Sequence, residues 1–234
     1  MMVKLGNIIF HNRNGIFPLF YLVLFIPSPE IFPNPVTAMA IGFTVTVIGQ
    51  LIRVITIGLV YIIRGGKEGK VYAEDLVTSG IFNHCRNPLY VGNILMLCGV
   101  GVLSNSLLYV AVFIPFFLFV YQAIVLAEEN FLRSKFGEKY DQYAAKVNRW
   151  VPSLKGLSAT FHSMQFKWKR WILKEYNTQY IWLSGITLIL LFKYPELTHY
   201  DTRLRNTLLA IILPLLGFAY LYVRYLKKSG KMKE

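Results

Sequence analysis

The chain has 234 residues, 55% hydrophobic and 15% aromatic, with 16% charged and a mean hydropathy of +0.45, which excludes an ordinary soluble domain and points to a membrane protein. Its formal charge of +13 sits mostly between apolar runs, where basic residues orient a membrane chain and meet anionic headgroups; no nucleic-acid motif is present and no nucleic-acid partner is expected. Cys85 and Cys98 have neither metal nor disulfide spacing and read as packing residues.

The start, MMVKLGNIIFHNRNGIFPLFYLVLFIPSPEIF, resembles a signal peptide in having Lys4 and Arg13 ahead of an apolar stretch. Pro27, Pro29 and Glu30 stand where a small-residue cleavage site belongs, so a retained first membrane segment is predicted. A bilayer core of ~30 Å asks for about 20 apolar helical residues. Six runs approach that length: Gly15–Pro27, Val36–Ile63, Pro88–Leu103, Leu107–Ala127, Tyr180–Tyr194 and Arg205–Tyr225. The first, third and fifth are short, so the prediction is an all-α integral membrane protein of five or six spans. With the N-terminus inside, only Lys193, Arg203 and Arg205 of the 25 Lys and Arg residues fall outside and Arg53 falls within a span, which places both termini on the cytoplasmic side. Either a cell inner membrane or the endoplasmic reticulum fits that pattern.

Two inner segments carry further pattern. In FLRSKFGEKYDQYAAKVNRWVPSL, Phe131, Leu132, Phe136, Tyr140, Tyr143 and Val147 recur near helical spacing, with Gly137 as an interruption and Pro152 as a stop. A basic helix lying on the membrane is the expectation there, with direct substrate contact as the alternative. FKWKRWILKEY combines basic residues with Trp168 and Trp171 and reads as an interfacial anchor. GGKEGK at Gly65–Lys70 lacks the spacing and closing Ser or Thr of a phosphate loop and is expected to be a turn, and Gly99 and Gly101 suit close helix packing rather than a dinucleotide fold. His11, His84, His162 and His199 lack ligand spacing, so no metal is expected.

Polar residues inside the apolar regions are the candidates for function. Arg53 either snorkels, pairs with a backbone carbonyl, or contacts a substrate. Glu128 and Glu129 end the fourth run as adjacent carboxylates, which repel one another and would be opposed by a helix dipole ending there. They are hydrated boundary residues or they meet a cationic or hydroxylated ligand. The stretch LVTSGIFNHCRNPLYVGN from Leu76 to Asn93 gathers polar chemistry at a helix mouth. Pro88 suits a first turn and Asn87 can cap it, leaving amides for an electron-rich ligand group. Tyr90 lies one turn in, Gly92 allows close approach, and Arg86 offers a fixed charge. If a tight turn at Ser104–Ser106 makes the third and fourth helices a hairpin, Pro88 and Glu128 return to one level, and the pair suits a zwitterionic ligand.

The sequence LVTSGIF, RNPLYVG, a hydrophobic hairpin and then EENFLRSKFGEKYDQYAAKVNRWVP resembles the isoprenylcysteine carboxyl methyltransferases and the related membrane phospholipid methyltransferases. The likeness covers about Glu74 to Pro152. It implies an integral membrane methyltransferase without a Rossmann domain, using S-adenosyl-L-methionine and releasing S-adenosyl-L-homocysteine. Leu76, Val77, Phe82, Asn87, Pro88, Leu89, Tyr90, Glu128 and Glu129 would line the cofactor, while Arg53 and Arg86 are candidates for substrate binding. The implied partners are the bilayer and a membrane lipid or lipidated small molecule bearing a carboxylate or an amine. Asn87 departs from the family's histidine, Glu74 and Asp75 differ from the residues that usually precede LVT, and Ile124 stands where eukaryotic carboxyl methyltransferases carry a substrate arginine. Phospholipid N-methylation is the alternative within the enzyme class, and a non-catalytic membrane scaffold the alternative outside it; a small transporter fits less well because paired repeats are not apparent. The expected units are residues 1–70 with the first helices, 71–155 with the methyltransferase core, and 156–234 as a C-terminal extension with two apolar helices.

Overall fold

The computed structural model describes residues 1–60 and 73–233. The Gly65–Lys70 turn and the end of the second run lie outside the described residues. Among these residues eight α-helices follow in order: α1 (Met2–Leu22), α2 (Pro35–Leu59), α3 (Pro88–Leu103), α4 (Ile114–Phe136), α5 (Glu138–Lys146), α6 (Leu157–Ser163), α7 (Trp168–Lys193) and α8 (Thr202–Lys228). Among the described residues there is no strand, and the protein is an all-α membrane protein.

Start signals are written in the local sequence. Asn34 accepts from the Val36 amide at 2.9 Å and Pro35 opens α2. Asp201 accepts from the Arg203 and Leu204 amides at 2.7 and 3.3 Å to open α8. Gly137, at φ +54°, separates α4 from α5. The helix α5 ends at Lys146, well before Pro152, so the proline is not its stop.

Among the described residues, three stretches are long and apolar enough to cross a bilayer: Pro35–Leu59, Tyr109–Phe136 and Thr202–Lys228. They are the second, fourth and sixth runs. The short third run is the 16-residue α3, ~24 Å long at 1.5 Å per residue. The first and fifth runs sit in helices longer than themselves, because polar turns precede the apolar part in α1 and α7. The helix that carries the fifth run, α7, therefore begins at Trp168, and the expected interfacial anchor forms its start, with Arg170 and Glu175 buried inside the protein.

The helices associate in pairs: α2 along α3, α1 along α4, α7 along α8, with α2 also touching α7. Small residues bring α2 and α3 together. A Cβ on Gly49 would stand 2.7 Å from the Gly92 carbonyl oxygen, and one on Gly99 would stand 2.3 Å from the Thr46 nitrogen. Gly92 and Gly99 thus both serve close helix packing, as the sequence suggests for Gly99.

At one end of the bundle, Ser104–Ser106 forms the tight turn expected from the sequence. Asn105 adopts φ +52° and its side chain accepts from the Ile31 and Phe32 amides at 3.0 and 2.9 Å. At the other end, the Lys167 amide donates to Gly58 at 2.8 Å, which sets the start of α7 beside the end of α2. The start of α1, where Gly6 lies against Ala123 and Ala127, belongs to this end too. The apolar core lies between these layers and includes Phe10, Val100, Phe117, Ile124 and Ile189.

Candidate functional site

The polar stretch ahead of α3 is consumed mainly by the segment that follows α5. The Arg86 amide donates to the Asn148 carbonyl at 2.9 Å, and the Ser153 amide donates to the His84 carbonyl at 2.9 Å. The Asn87 side-chain amide donates to the Arg149 carbonyl at 3.3 Å. The buried His84 ring reaches the Ser153 carbonyl and the Thr160 hydroxyl, each at 2.8 Å. Because a carbonyl only accepts, His84 carries its proton on Nδ1. Unpaired buried polar groups are costly, and this lacing explains why so many polar residues sit at a helix mouth.

Asn87 consequently does not cap α3 through its side chain. The Tyr90 and Val91 amides both donate to the Asn87 carbonyl at 3.0 Å, so these two are already satisfied. Pro88 does open the helix, buried at its first position, with Leu89 half-buried beside it. Leu76 and Val77 lie half-buried in the irregular stretch before the short turn Gly80–Asn83. Phe82, within that turn, is half-buried, and its carbonyl accepts from the Tyr143 hydroxyl at 2.7 Å.

That last bond corrects the reading of α5 as a membrane-lying helix. Tyr140 and Val147 are buried within the protein, and the aromatic face of α5 is docked on the motif. Burial pushes the Tyr140 hydroxyl up to about 12, with the Glu129 carboxylate adding to the effect and Arg86 opposing it. The same desolvation raises the Tyr143 hydroxyl and the Cys85 thiol.

The two adjacent glutamates have different partners. Glu128 accepts from the Tyr90 hydroxyl at 2.7 Å, joining the start of α3 to the end of the apolar part of α4. The Tyr90 and Tyr121 rings lie 5.5 Å apart beside this bond. Glu129 turns the other way: Arg149 grips it with Nε at 3.0 Å and Nη2 at 2.7 Å, and Arg86 Nε stands at 3.5 Å. The expected repulsion is thus relieved within the protein itself. Helix α4 also continues to Phe136, so its C-terminal dipole does not act at Glu128.

Arg53 has a partner that the sequence reading did not include. Its Nη2 and Nε atoms meet the two Glu175 oxygens at 2.7 and 3.0 Å, with side-chain exposures of 2% and 0%. A further nitrogen donates to Asn93. Three side chains, Arg53, Asn93 and Glu175, therefore tie α2, α3 and α7 together. Nearby, the Trp182 indole donates to Thr46 at 2.8 Å. Glu175 carried no signal in the sequence beyond being an acid in a basic stretch, whereas Arg149 and Tyr143 lie within the quoted motif and were open to notice.

Comparison with known proteins gives a consistent placement. The phospholipid methyltransferase family matches residues 36–139. A cobalt-zinc-cadmium resistance protein of Cupriavidus metallidurans is 40% identical over 81 residues, 35% of this chain and 37% of that protein. A probable protein-S-isoprenylcysteine O-methyltransferase of Oryza sativa subsp. indica is 34% identical over 121 residues, covering 48% of this chain and 60% of the relative. The protein-S-isoprenylcysteine O-methyltransferase of Schizosaccharomyces pombe is 32% identical over 77 residues, one third of each chain. The chain thus spans between a third and three fifths of the length of these relatives. No solved structure matches. The shared order of motifs and the all-helical architecture agree with these likenesses: residues 36–139 match the phospholipid methyltransferase family, and part of the chain is similar to protein-S-isoprenylcysteine O-methyltransferases.

Proposed function

We propose that the chain is an integral membrane methyltransferase that takes its methyl group from S-adenosyl-L-methionine at the Tyr90–Glu128 junction and passes it to an amphipathic acceptor presented from the bilayer. The observation that carries this reading is the 2.7 Å bond between Tyr90 and Glu128, which joins two motif residues 38 positions apart at one level of the bundle. The side chains there suit such a donor: tyrosine ring faces favour a cation, and a carboxylate accepts from hydroxyl or ammonium groups. Leu76, Val77, Phe82, Asn87, Pro88, Leu89 and Glu129 complete the proposed lining or its support. When bound, the donor supplies an electrophilic methyl group on a sulfonium.

Transfer from a sulfonium is an in-line displacement, so the protein's work is alignment and exclusion of water. Tyr90, fixed by Glu128, would hold the cation, and Glu128 would orient polar groups of the donor, while the laced segment around Arg149 supports the mouth of α3. No dedicated acid or base is assigned.

One set of contacts favours an amine over a carboxylate as the acceptor group. Arg53 is matched by Glu175 and Arg86 stands beside Glu129, while Ile124 is fully buried and apolar. Each arginine considered for a substrate carboxylate thus already faces a protein carboxylate. Phospholipid N-methylation is the reading that this favours, with both termini on the cytoplasmic side.

The test is incubation of purified protein with labelled methyl donor and a membrane lipid extract, alongside calorimetry with S-adenosyl-L-homocysteine. Transfer of label to lipid with measurable product binding supports the reading. Absence of both overturns it in favour of a non-catalytic scaffold.

A further inference from the structure

The C-terminal hairpin carries a feature that methyl transfer does not use. Its two helices bring both of their basic ends together at the level where α2 ends. Lys167 and Lys169 are exposed at the start of α7. Arg224, Lys227 and Lys228 are exposed at the end of α8, with Lys231 just beyond it. The two ends are clasped: Lys227 Nζ donates to the Leu173 carbonyl at 3.1 Å and stands 5.2 Å from the Tyr176 ring centre. Stacking of Tyr220 against Tyr176 and Tyr180, at 5.3 and 5.0 Å, aligns the pair.

Three further observations give this patch a preference. Between Gly156 and Lys233 the acids are Glu175, Glu196 and Asp201. Glu196 and Asp201 belong to the opposite end of the hairpin, and Glu175 is fully buried against Arg53. Indole rings border the cations: Trp168 is 63% exposed and packs 4.4 Å from Phe166 and 5.8 Å from Trp171. Exposed tryptophan beside lysine is the composition of a headgroup-level contact, with the ring at the glycerol region and the cations at the phosphate.

We propose that the basic end of the α7–α8 hairpin is a binding site for the headgroup phosphate of an anionic membrane phospholipid, assembled from the first turn of α7 and the last turn of α8. It selects anionic over zwitterionic lipid because several cations lie there and, among the described residues, no exposed carboxylate of the same hairpin stands beside them. Each basic residue near a charged membrane surface adds attraction that salt weakens. The proposal is independent of the methyltransferase reading.

The experiment uses the full chain in phosphatidylcholine vesicles titrated with fluorescently labelled phosphatidylglycerol or equally labelled phosphatidylcholine, read by energy transfer from tryptophan. A preference of about ten-fold or more for phosphatidylglycerol is expected, shrinking at high salt. The triple variant Lys169→Gln, Lys228→Gln, Lys231→Gln should lose most of it, and because all three side chains are exposed, its melting temperature should stay unchanged. A control variant with Lys139→Gln, Lys146→Gln and Lys155→Gln, exposed elsewhere, should keep the preference. Equal binding of the two lipids overturns the site, as does an equal loss in the control, which would mark diffuse attraction by the whole surface. Displacement of the label by inorganic phosphate at matched ionic strength would assign the patch to free phosphate and overturn the lipid.

Discussion

Two buried carboxylates, Glu129 and Glu175, solve the same problem in different surroundings. Glu129 sits at the end of the bundle, held by Arg149, whose side chain is 30% exposed, and flanked by Arg86 at 13%. Glu175 sits among helices with Arg53, both nearly inaccessible. Water shares the burden in the first region and has almost no part in the second. A lost partner should therefore matter more between α2 and α7 than at the motif.

The largest expected effect tests that directly. Glu175→Ala leaves a buried guanidinium uncompensated and should lower stability by about 3–5 kcal/mol, seen as a fall in thermal unfolding temperature in detergent. The double variant Arg53→Met, Glu175→Leu should recover most of the loss; failure to recover would mean that the pair does more than neutralise itself. Next comes the helix contact beneath it. Gly99→Leu drives a side chain into the Thr46 backbone, where even a Cβ would stand at 2.3 Å, and should cost about 1–3 kcal/mol. Glu129→Gln should cost about 2 kcal/mol by the same measurement, clearly less than Glu175→Ala; equal losses would erase the contrast between the regions.

Smaller effects separate binding from folding. Tyr90→Phe removes one hydroxyl bond to Glu128 and should lower stability by about 1 kcal/mol, while weakening S-adenosyl-L-homocysteine binding in calorimetry. Tyr140→Phe should be close to neutral, since that buried hydroxyl has no hydrogen-bond partner. The pH dependence gives a sharper reading. The folded state raises the Tyr140 hydroxyl from 10 to about 12, so its contribution is complete below pH 10 and is lost as pH rises through the folded value. Unfolding followed between these values should show a decline that Tyr140→Phe reduces.

The same contrast marks what the sequence reveals. The Tyr90–Glu128 meeting follows from local signals: a proline-opened helix, a tight turn, and run lengths that return the chain to one level. Glu175 is 122 residues from Arg53, on a helix whose first turns resemble an interfacial anchor because Trp and Lys dominate them. No periodicity reports which acid in a basic stretch turns inward, since that depends on how α7 rotates against α2. Asn87, whose side chain donates to the Arg149 carbonyl, and Gly92, which packs on α2, show a related effect. Each residue type suits a local task, capping or ligand approach, but the neighbouring segment or helix had prior use of it.

The pairing of α3 with α2 and of α4 with α1 gives the site its mechanical character. Tyr90 and Glu128 ride on two helix pairs that meet in one apolar core and are joined by the Ser104–Ser106 turn at the far end. Between the two residues runs a hydrogen bond, with a tyrosine–tyrosine contact beside it. The two pairs thus meet at the polar mouth through polar side chains and, deeper in the bundle, through apolar packing.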